Sequence, residues 1–406
     1  MRADRWGMVY QPLIGLHQDV AEIDFVSMYP AIMARYNISP ETVGAGDGRG
    51  PRVPEIDVHV DQSREGIIPQ TVRPLLYKRI AIKERLAGMN KRDCRHAALK
   101  ARSTALKWLL VVAYGYLGYK RARFGRINAY EAVTAYSREC LLRAKEAAED
   151  LGFTVVHMYI DSLFVQKRGL RDPAELQPLL AEVMARTELP IALEGIYRWV
   201  CFLPSRVDPR VPVPNRYFGT FQDGSLKIRG IEARQHSTPP FIAAAQEALL
   251  ARLARLADPT AVPRLLPRLL CEVRETISLL HQGQIPLPDL LVHQRLSREL
   301  EQYRTPSPAA QAALQLREIG KPRRPGQRIP FIFTRTGVWA WDRPGRPPAH
   351  SVDTVRYETL LRRAIDNVLA PFAIETATLD EVLDGRYQLP LLAPHILQPV
   401  NNRLRS

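Results

Sequence analysis

Residues 20–36, VAEIDFVSMYPAIMARY, decide the fold. An apolar run ends at Asp24, a short link follows, and Pro30 sits near the first turn of what reads as a helix. The pattern predicts a strand that delivers a carboxylate to its own end. A second stretch, TVVHMYIDSLFVQKRG at 154–169, has two short β-rich runs on either side of Asp161 and Ser162, and reads as a hairpin or tightly turned strand pair. Adjacent strands of one sheet would bring Asp24 and Asp161 together. Such a pair can hold two divalent cations about 3.5 to 4 Å apart and stabilise the attacking and leaving oxygens of phosphoryl transfer. Taken singly, an aspartate at a strand end is more often a turn or capping residue. The company these two keep makes them candidates.

That company is cationic. The 406 residues carry 57 Lys and Arg against 42 Asp and Glu, a net charge of +15. Nearly all the excess lies between Arg64 and Arg126, where the only acids are Glu65, Glu84 and Asp93. So local an excess favours a polyanion ligand over a solvated helix face. RPLLYKRIAIKERLA, at 73–87, predicts a helix with Pro74 near its start and Gly88 as its stop, and a second helix is expected from about Asp93 to Ala113. The two form an antiparallel pair with a basic tip, GMNKRDCR. Arg79 and Lys83 are spaced i, i+4 on the first helix and Lys107 lies on the second, so three cations can converge on one triphosphate. A salt-bridged surface is the competing reading, and the scarcity of acids nearby argues against it.

Outward from this centre, YGYLGY reads as a turn leading into a helix, NAYEAVTAYSRECLLRAKEAAEDLG, closed by Gly152. RYFGTF and SLKIRGIEARQ read as a strand pair turning at Asp223 and Gly224. From about Pro239 to Leu369 the pattern is mainly helical, with a strand pair around IPFIFTRTGVWAWD, and the tail at 387–406 reads as a docking segment. With 46% hydrophobic and 24% charged residues, composition excludes wholesale disorder. The longest uncharged apolar run, Trp108 to Tyr119, is too short to span a bilayer. No export signal marks the N-terminus, so a cytoplasmic location is expected. Four scattered cysteines form neither a disulfide framework nor a zinc module.

At these residues the chain resembles the family B DNA polymerases. Asp24-Phe-Val-Ser-Met-Tyr-Pro-Ala-Ile is similar to the family's D-x-x-S-L-Y-P-S-I motif A. GIIP and the Arg79-x-x-x-Lys83 helix follow, and ALKWLLVVAYGYLGYKRARFG is similar to the K-x-x-x-N-S-x-Y-G motif B. MYIDSLFV resembles the D-T-D-S motif C, and RY with RGIEARQ resembles the K-K-R-Y element and its following strand. The resemblance runs from roughly Tyr10 to Phe372. It implies an α+β right-hand polymerase core: an antiparallel-sheet palm at 1–65 and 114–238, helical fingers at 66–113, and a mainly helical thumb with the tail at 239–406.

The resemblance also implies roles. Asp24 and Asp161 match the metal-binding catalytic carboxylates, with the Phe25 carbonyl as a further ligand, for two Mg²⁺ ions or Mn²⁺ in their place. Ser27, Met28, Tyr29, Arg79, Lys83, Lys107 and Tyr114 match the nucleotide site, Tyr29 as the ring that excludes a ribose 2′-OH. Gly115, Arg216, Tyr217 and Arg234 match DNA contacts, and thumb cations such as Arg295, Arg298, Arg304, Lys321, Arg323 and Arg324 would meet duplex phosphates. The implied partners are primer-template DNA and deoxynucleoside triphosphates, with a separate exonuclease or N-terminal subunit or a processivity factor as a further candidate, and no membrane. The implied activity is template-directed extension of a primer 3′-OH.

Two departures bear on that activity. Tyr159 and Ile160 stand where motif C has its first Asp and its Thr, and Val111 and Val112 stand where motif B has Asn and Ser. This wording resembles a divergent archaeal and bacterial branch of the family. With motif A already at residue 24, the N-terminal and exonuclease domains are expected to be lacking and proofreading absent, and a role in repair or lesion bypass would follow. The alternative is a catalytically weak or inactive polymerase-like replication factor that binds DNA.

Overall fold

Alternation along one strand organises the structure. In β2 (Gly15–Phe25), Ala21, Ile23 and Phe25 join a helix-covered core, while Val20, Glu22 and Asp24 share the opposite face. The computed structural model describes residues 7–44, 50–90, 92–256 and 258–386. It divides into two compact units, Met1–Gly230 and Ile231–Ser406. The tail expected to dock, 387–406, lies outside the described residues, as does Lys91 of the basic tip.

The first unit contains β1 (Val9–Tyr10), β2, and helices α1 (Met28–Arg35), α2 (Ile67–Ala87), α3 (Cys94–Leu117) and α4 (Ile127–Asp150). The hairpin β3 (Thr154–Tyr159) and β4 (Ser162–Gln166) follows, then α5 (Gln177–Thr187), β5 (Ile191–Pro204), β6 (Pro212–Phe221) and β7 (Leu226–Arg229). The strands form one antiparallel sheet in the order β1-β3-β4-β2-β5-β6-β7. Residues of α1, α4 and α5, among them Met33, Val133, Leu141 and Val183, fill the core on one face; on the other, Phe164, Tyr197, Phe202 and Tyr217 form a smaller aromatic cluster. That second face is the one Asp24 shares.

The long helices depart from the sequence expectation at both ends. Instead of starting near Pro74, α2 begins at Ile67 and carries Pro74 inside. Its cap is not local: the Glu41 carboxylate accepts from the Ile67 N–H and Ser39 Oγ from the Ile68 N–H at 3.3 Å, so distant residues satisfy the first turn. Likewise α3 runs past Ala113 to Leu117, making Tyr114 and Gly115 helical rather than part of a turn. Leu110 and Leu117 are both buried, and the Arg126 N–H closes on the Leu117 carbonyl at 2.8 Å, which offsets the helical cost of Gly115.

The second unit is mainly helical: α6 (Pro240–Ala254), α7 (Val262–Leu269), α8 (Cys271–His281), α9 (Pro308–Glu318), α10 (Thr354–Leu369) and α11 (Thr376–Leu383). The expected strand pair, β9 (Arg328–Thr334) with β10 (Gly337–Ala340), gains a third strand, β8 (Val292–Arg295), in the order β10-β9-β8. Among the described residues, no helix is long and apolar enough to cross a membrane.

Candidate active site

The β2 strand end and the β3–β4 turn meet. Asp24 is in register with Ser162, and the Phe25 N–H donates to the Asp161 carbonyl at 2.8 Å. Ile160, at the turn, has φ 62°, and Ser27, just beyond β2, has φ 54°. For a β-branched residue this left-handed conformation is strained, on the order of 1–3 kcal/mol, and such strain gathers where structure is held for function.

Above this junction lies a cavity of about 480 Å³. Asp24 and Asp161 line it from the sheet, Arg79 and Lys83 from α2, and Lys107 and Tyr114 from α3. Phe25, Ser27, Met28 and Tyr29 line it too, with Ala192 and Glu194 of β5, so residues from five separate segments of sequence converge on one space. Tyr29 packs on Tyr114 with ring centroids 4.4 Å apart, and Tyr114 stacks on Tyr130 of α4 at 4.7 Å. This ladder fixes the Tyr29 ring against the cavity wall.

The carboxyls are electrostatically loaded. Burial, then Asp161, Glu22 and Glu194, push the Asp24 carboxyl up to about 7, with Lys227 opposing. Burial also raises Asp161, with Glu22 adding to it and Lys107 and Lys227 opposing. A divalent cation would relieve this repulsion. Among the described residues no three His, Cys, Asp or Glu side chains group as a metal cage. Two carboxylates with open oxygen positions suit Mg²⁺, which keeps waters and takes substrate phosphates as ligands. The donor set therefore fits the metal implied by the sequence resemblance.

The cations are poised differently. Arg79 donates to Ser27 Oγ, and its buried Nε has no partner among the described residues. A buried N–H left unpaired beside a cavity is a site for an acceptor oxygen. Lys83 and Lys107 form no ion pair among the described residues.

Other candidates fall elsewhere. Gly115 is exposed on α3 and does not line the cavity. Arg216 is 7% exposed and donates to the Pro204 carbonyl, and Tyr217 is buried in the aromatic cluster, so neither presents much surface to a duplex. Seven further candidates belong to the second unit, and Arg298, Lys321 and Arg324 among them are exposed. Arg234 lies 3.7 Å from Glu247 and Arg323 is paired with Asp342 at 2.6 Å, whereas Arg295 and Arg304 are exposed. Sequence reasoning missed Glu22, Glu194 and Lys227. Glu22 was legible, because a residue two before Asp24 shares its face. Lys227 was not, since it comes from a strand three places away in the sheet.

The model of DNA polymerase family B matches residues 4–176. The chain is 28% identical over 312 residues to the DNA polymerase of Archaeoglobus fulgidus, covering 77% of this chain and 38% of that protein. It is 33% identical over 231 residues to DNA polymerase 2 of Saccharolobus solfataricus, covering 57% of this chain and 33% of the relative. The chain thus spans well under half the length of these curated relatives. The solved structure of the family B DNA polymerase from Pyrobaculum calidifontis superposes with a TM-score of 0.62 at 27% identity, over 90% of this chain and 47% of that one. The family model, the relatives and the solved structure agree in their likeness to a family B DNA polymerase core.

Proposed function

We propose that the chain is a template-directed DNA polymerase core that adds deoxynucleotides to a primer 3′-OH. The observation that carries this reading is the convergence of Asp24 and Asp161 with Arg79, Lys83 and Lys107 on one cavity. In this reading Asp24, Asp161 and the Phe25 carbonyl hold two divalent cations, Mg²⁺ or Mn²⁺. When bound, these supply Lewis acidity for the attacking hydroxyl and neutralise charge on the phosphates. The three cations grip the triphosphate, with the Arg79 Nε–H donating to a phosphate oxygen. Tyr29, held by Tyr114, blocks the place of a ribose 2′-OH. The primer oxygen then forms its bond to the α-phosphorus as the bond to pyrophosphate breaks in line, and the hydroxyl proton leaves to solvent.

Val111 lines the same cavity and offers no hydrogen bond to a nascent pair, which supports tolerance of damaged templates. Primer extension with Mg²⁺ or Mn²⁺ tests the proposal. Wild type should extend, and Asp24→Asn and Asp161→Asn should each lose about a thousandfold or more. Wild type that binds primer-template without extending it under either metal would overturn the enzyme reading in favour of a DNA-binding factor.

A further inference from the structure

The sheet face that carries Asp24 holds a charged pair that the proposed reaction leaves unused. Lys227 on β7 reaches Glu22 on β2, its Nζ lying 2.7 and 2.8 Å from the two carboxylate oxygens, and the Tyr197 hydroxyl of β5 donates to the same carboxylate at 2.7 Å. Glu22 is 5% exposed and the Lys227 side chain 18%. Two strands, β5 and β6, separate the partners, and the residues in register with them are glycines: Gly195 opposite Glu22 and Gly219 opposite Lys227. A Cβ at Gly219 would stand 2.9 Å from the Tyr197 ring, and one at Gly195 would stand 2.7 Å from the Phe221 ring. Those two rings stack with centroids 4.1 Å apart. The glycines thus make room for an aromatic layer that carries the Tyr197 hydroxyl to Glu22.

Burying an ion pair seldom stabilises a fold relative to apolar side chains, so its position needs a reason. Glu22 shares the face of Asp24 two residues along β2, and Asp24 pairs with Ser162 beside Asp161, so the Glu22 carboxylate and the ammonium held on it lie on the same side of the sheet as the carboxylate site. We propose that Lys227 is a positioning residue of the carboxylate site: its ammonium, fixed by Glu22, cancels the Glu22 charge and sets how tightly Asp24 and Asp161 hold a divalent cation. The inference rests on the reading that these two carboxylates are the metal ligands.

Mn²⁺ alone is the probe, its free concentration followed by electron paramagnetic resonance with the full chain and no DNA or nucleotide, and Asp24→Asn marks the site by abolishing the binding. Glu22→Gln leaves the ammonium unopposed and should weaken Mn²⁺ by about fivefold or more, whereas Lys227→Met leaves an extra carboxylate and should tighten it by about threefold. The pair Glu22→Gln/Lys227→Met and the single Lys227→Arg conserve net charge and should stay within about twofold of wild type. Unchanged affinity in both charge-altering variants, with only a lower unfolding temperature, overturns the proposal and leaves Lys227 as a sheet tie. If those two variants do not fold, Lys227→Gln, which removes the charge and keeps a hydrogen-bond donor for Glu22, decides: Mn²⁺ held about threefold tighter supports the proposal, and unchanged affinity overturns it. A wild type that holds Mn²⁺ yet never extends a primer overturns the polymerase reading alone. Unaltered Mn²⁺ affinity in the charge-altering variants of an active enzyme overturns this inference alone.

Discussion

Arginine and lysine do opposite work in the cavity of the first unit and along α10 of the second. In the second, Arg362 of α10 is ringed by Glu358 at 2.7 Å, Asp380 at 2.8 Å and Asp384 at 2.6 Å, and Arg317 meets Glu301 at 2.7 Å. In the cavity of the first, Arg79, Lys83 and Lys107 have no carboxylate at ion-pairing distance among the described residues, and the Arg79 Nε is unpaired. The lesson is that a basic residue is informative by what fails to neutralise it. A guanidinium satisfied by its own chain contributes to folding. One left unsatisfied against a cavity wall requires an anion from outside.

The largest expected effect breaks the comparison on the cavity side. Arg79→Ala and Lys83→Ala should each reduce kcat/KM for deoxynucleotide by about a hundredfold to a thousandfold, read by steady-state incorporation. The unfolding temperature of Lys83→Ala should stay within about 1 °C of wild type, since Lys83 has no ion pair to lose, and Arg79→Ala should lose no more than its hydrogen bond to Ser27 Oγ, about 1 kcal/mol. Activity and thermal stability falling together would make these ordinary structural cations and remove the contrast.

The second test breaks it on the paired side. Arg362→Ala strands three carboxylates; with the side chain a fifth exposed, the cost should be about 2 kcal/mol, below the 3–5 kcal/mol of a fully buried pair. That corresponds to a fall of about 4–8 °C in unfolding temperature for a unit of this size, while primer extension at 25 °C stays as in wild type. Loss of extension without loss of stability would place Arg362 among the substrate-facing cations.

How much of this was legible in the sequence depends on where the determining contacts lie. The strand ending at Asp24, the hairpin turning at Asp161 and the Arg79–Lys83 spacing are local patterns, and all reach the cavity. The start of α2 was misplaced because its cap comes from Ser39 and Glu41, which no local signal near Pro74 reveals. The end of α3 was misplaced because Gly115 reads as a breaker, while burial of Leu117 holds the helix on. Arg216 is a duplex contact only by the family resemblance of its RY pair, and in the structure its guanidinium is turned inward to the Pro204 carbonyl. Strand β8 is only four residues long and carries too little alternation to register. Pairing across a sheet, as between Glu22 and Lys227, leaves no mark at any fixed spacing.

The smallest test sharpens the contrast by titrating one member of the paired network. Glu358 is hydrogen-bonded by His281 at 2.6 Å and by Arg362 at 2.8 Å. Burial alone would raise its carboxyl, but these two donors hold it below the ordinary glutamate value. A carboxylate depressed in the folded state contributes stability above the unfolded-state pKa, and that contribution is lost as pH falls through the folded one. Denaturant unfolding of wild type and Glu358→Gln should therefore differ by about 1 kcal/mol at pH 7, and the gap should close only as pH drops below about 4.3, the ordinary glutamate value. A gap that persists unchanged to pH 3 would assign the loss to side-chain packing. In that case the pairing of Arg362 would rest on Asp380 and Asp384, and the contrast with the cavity cations on two carboxylates instead of three.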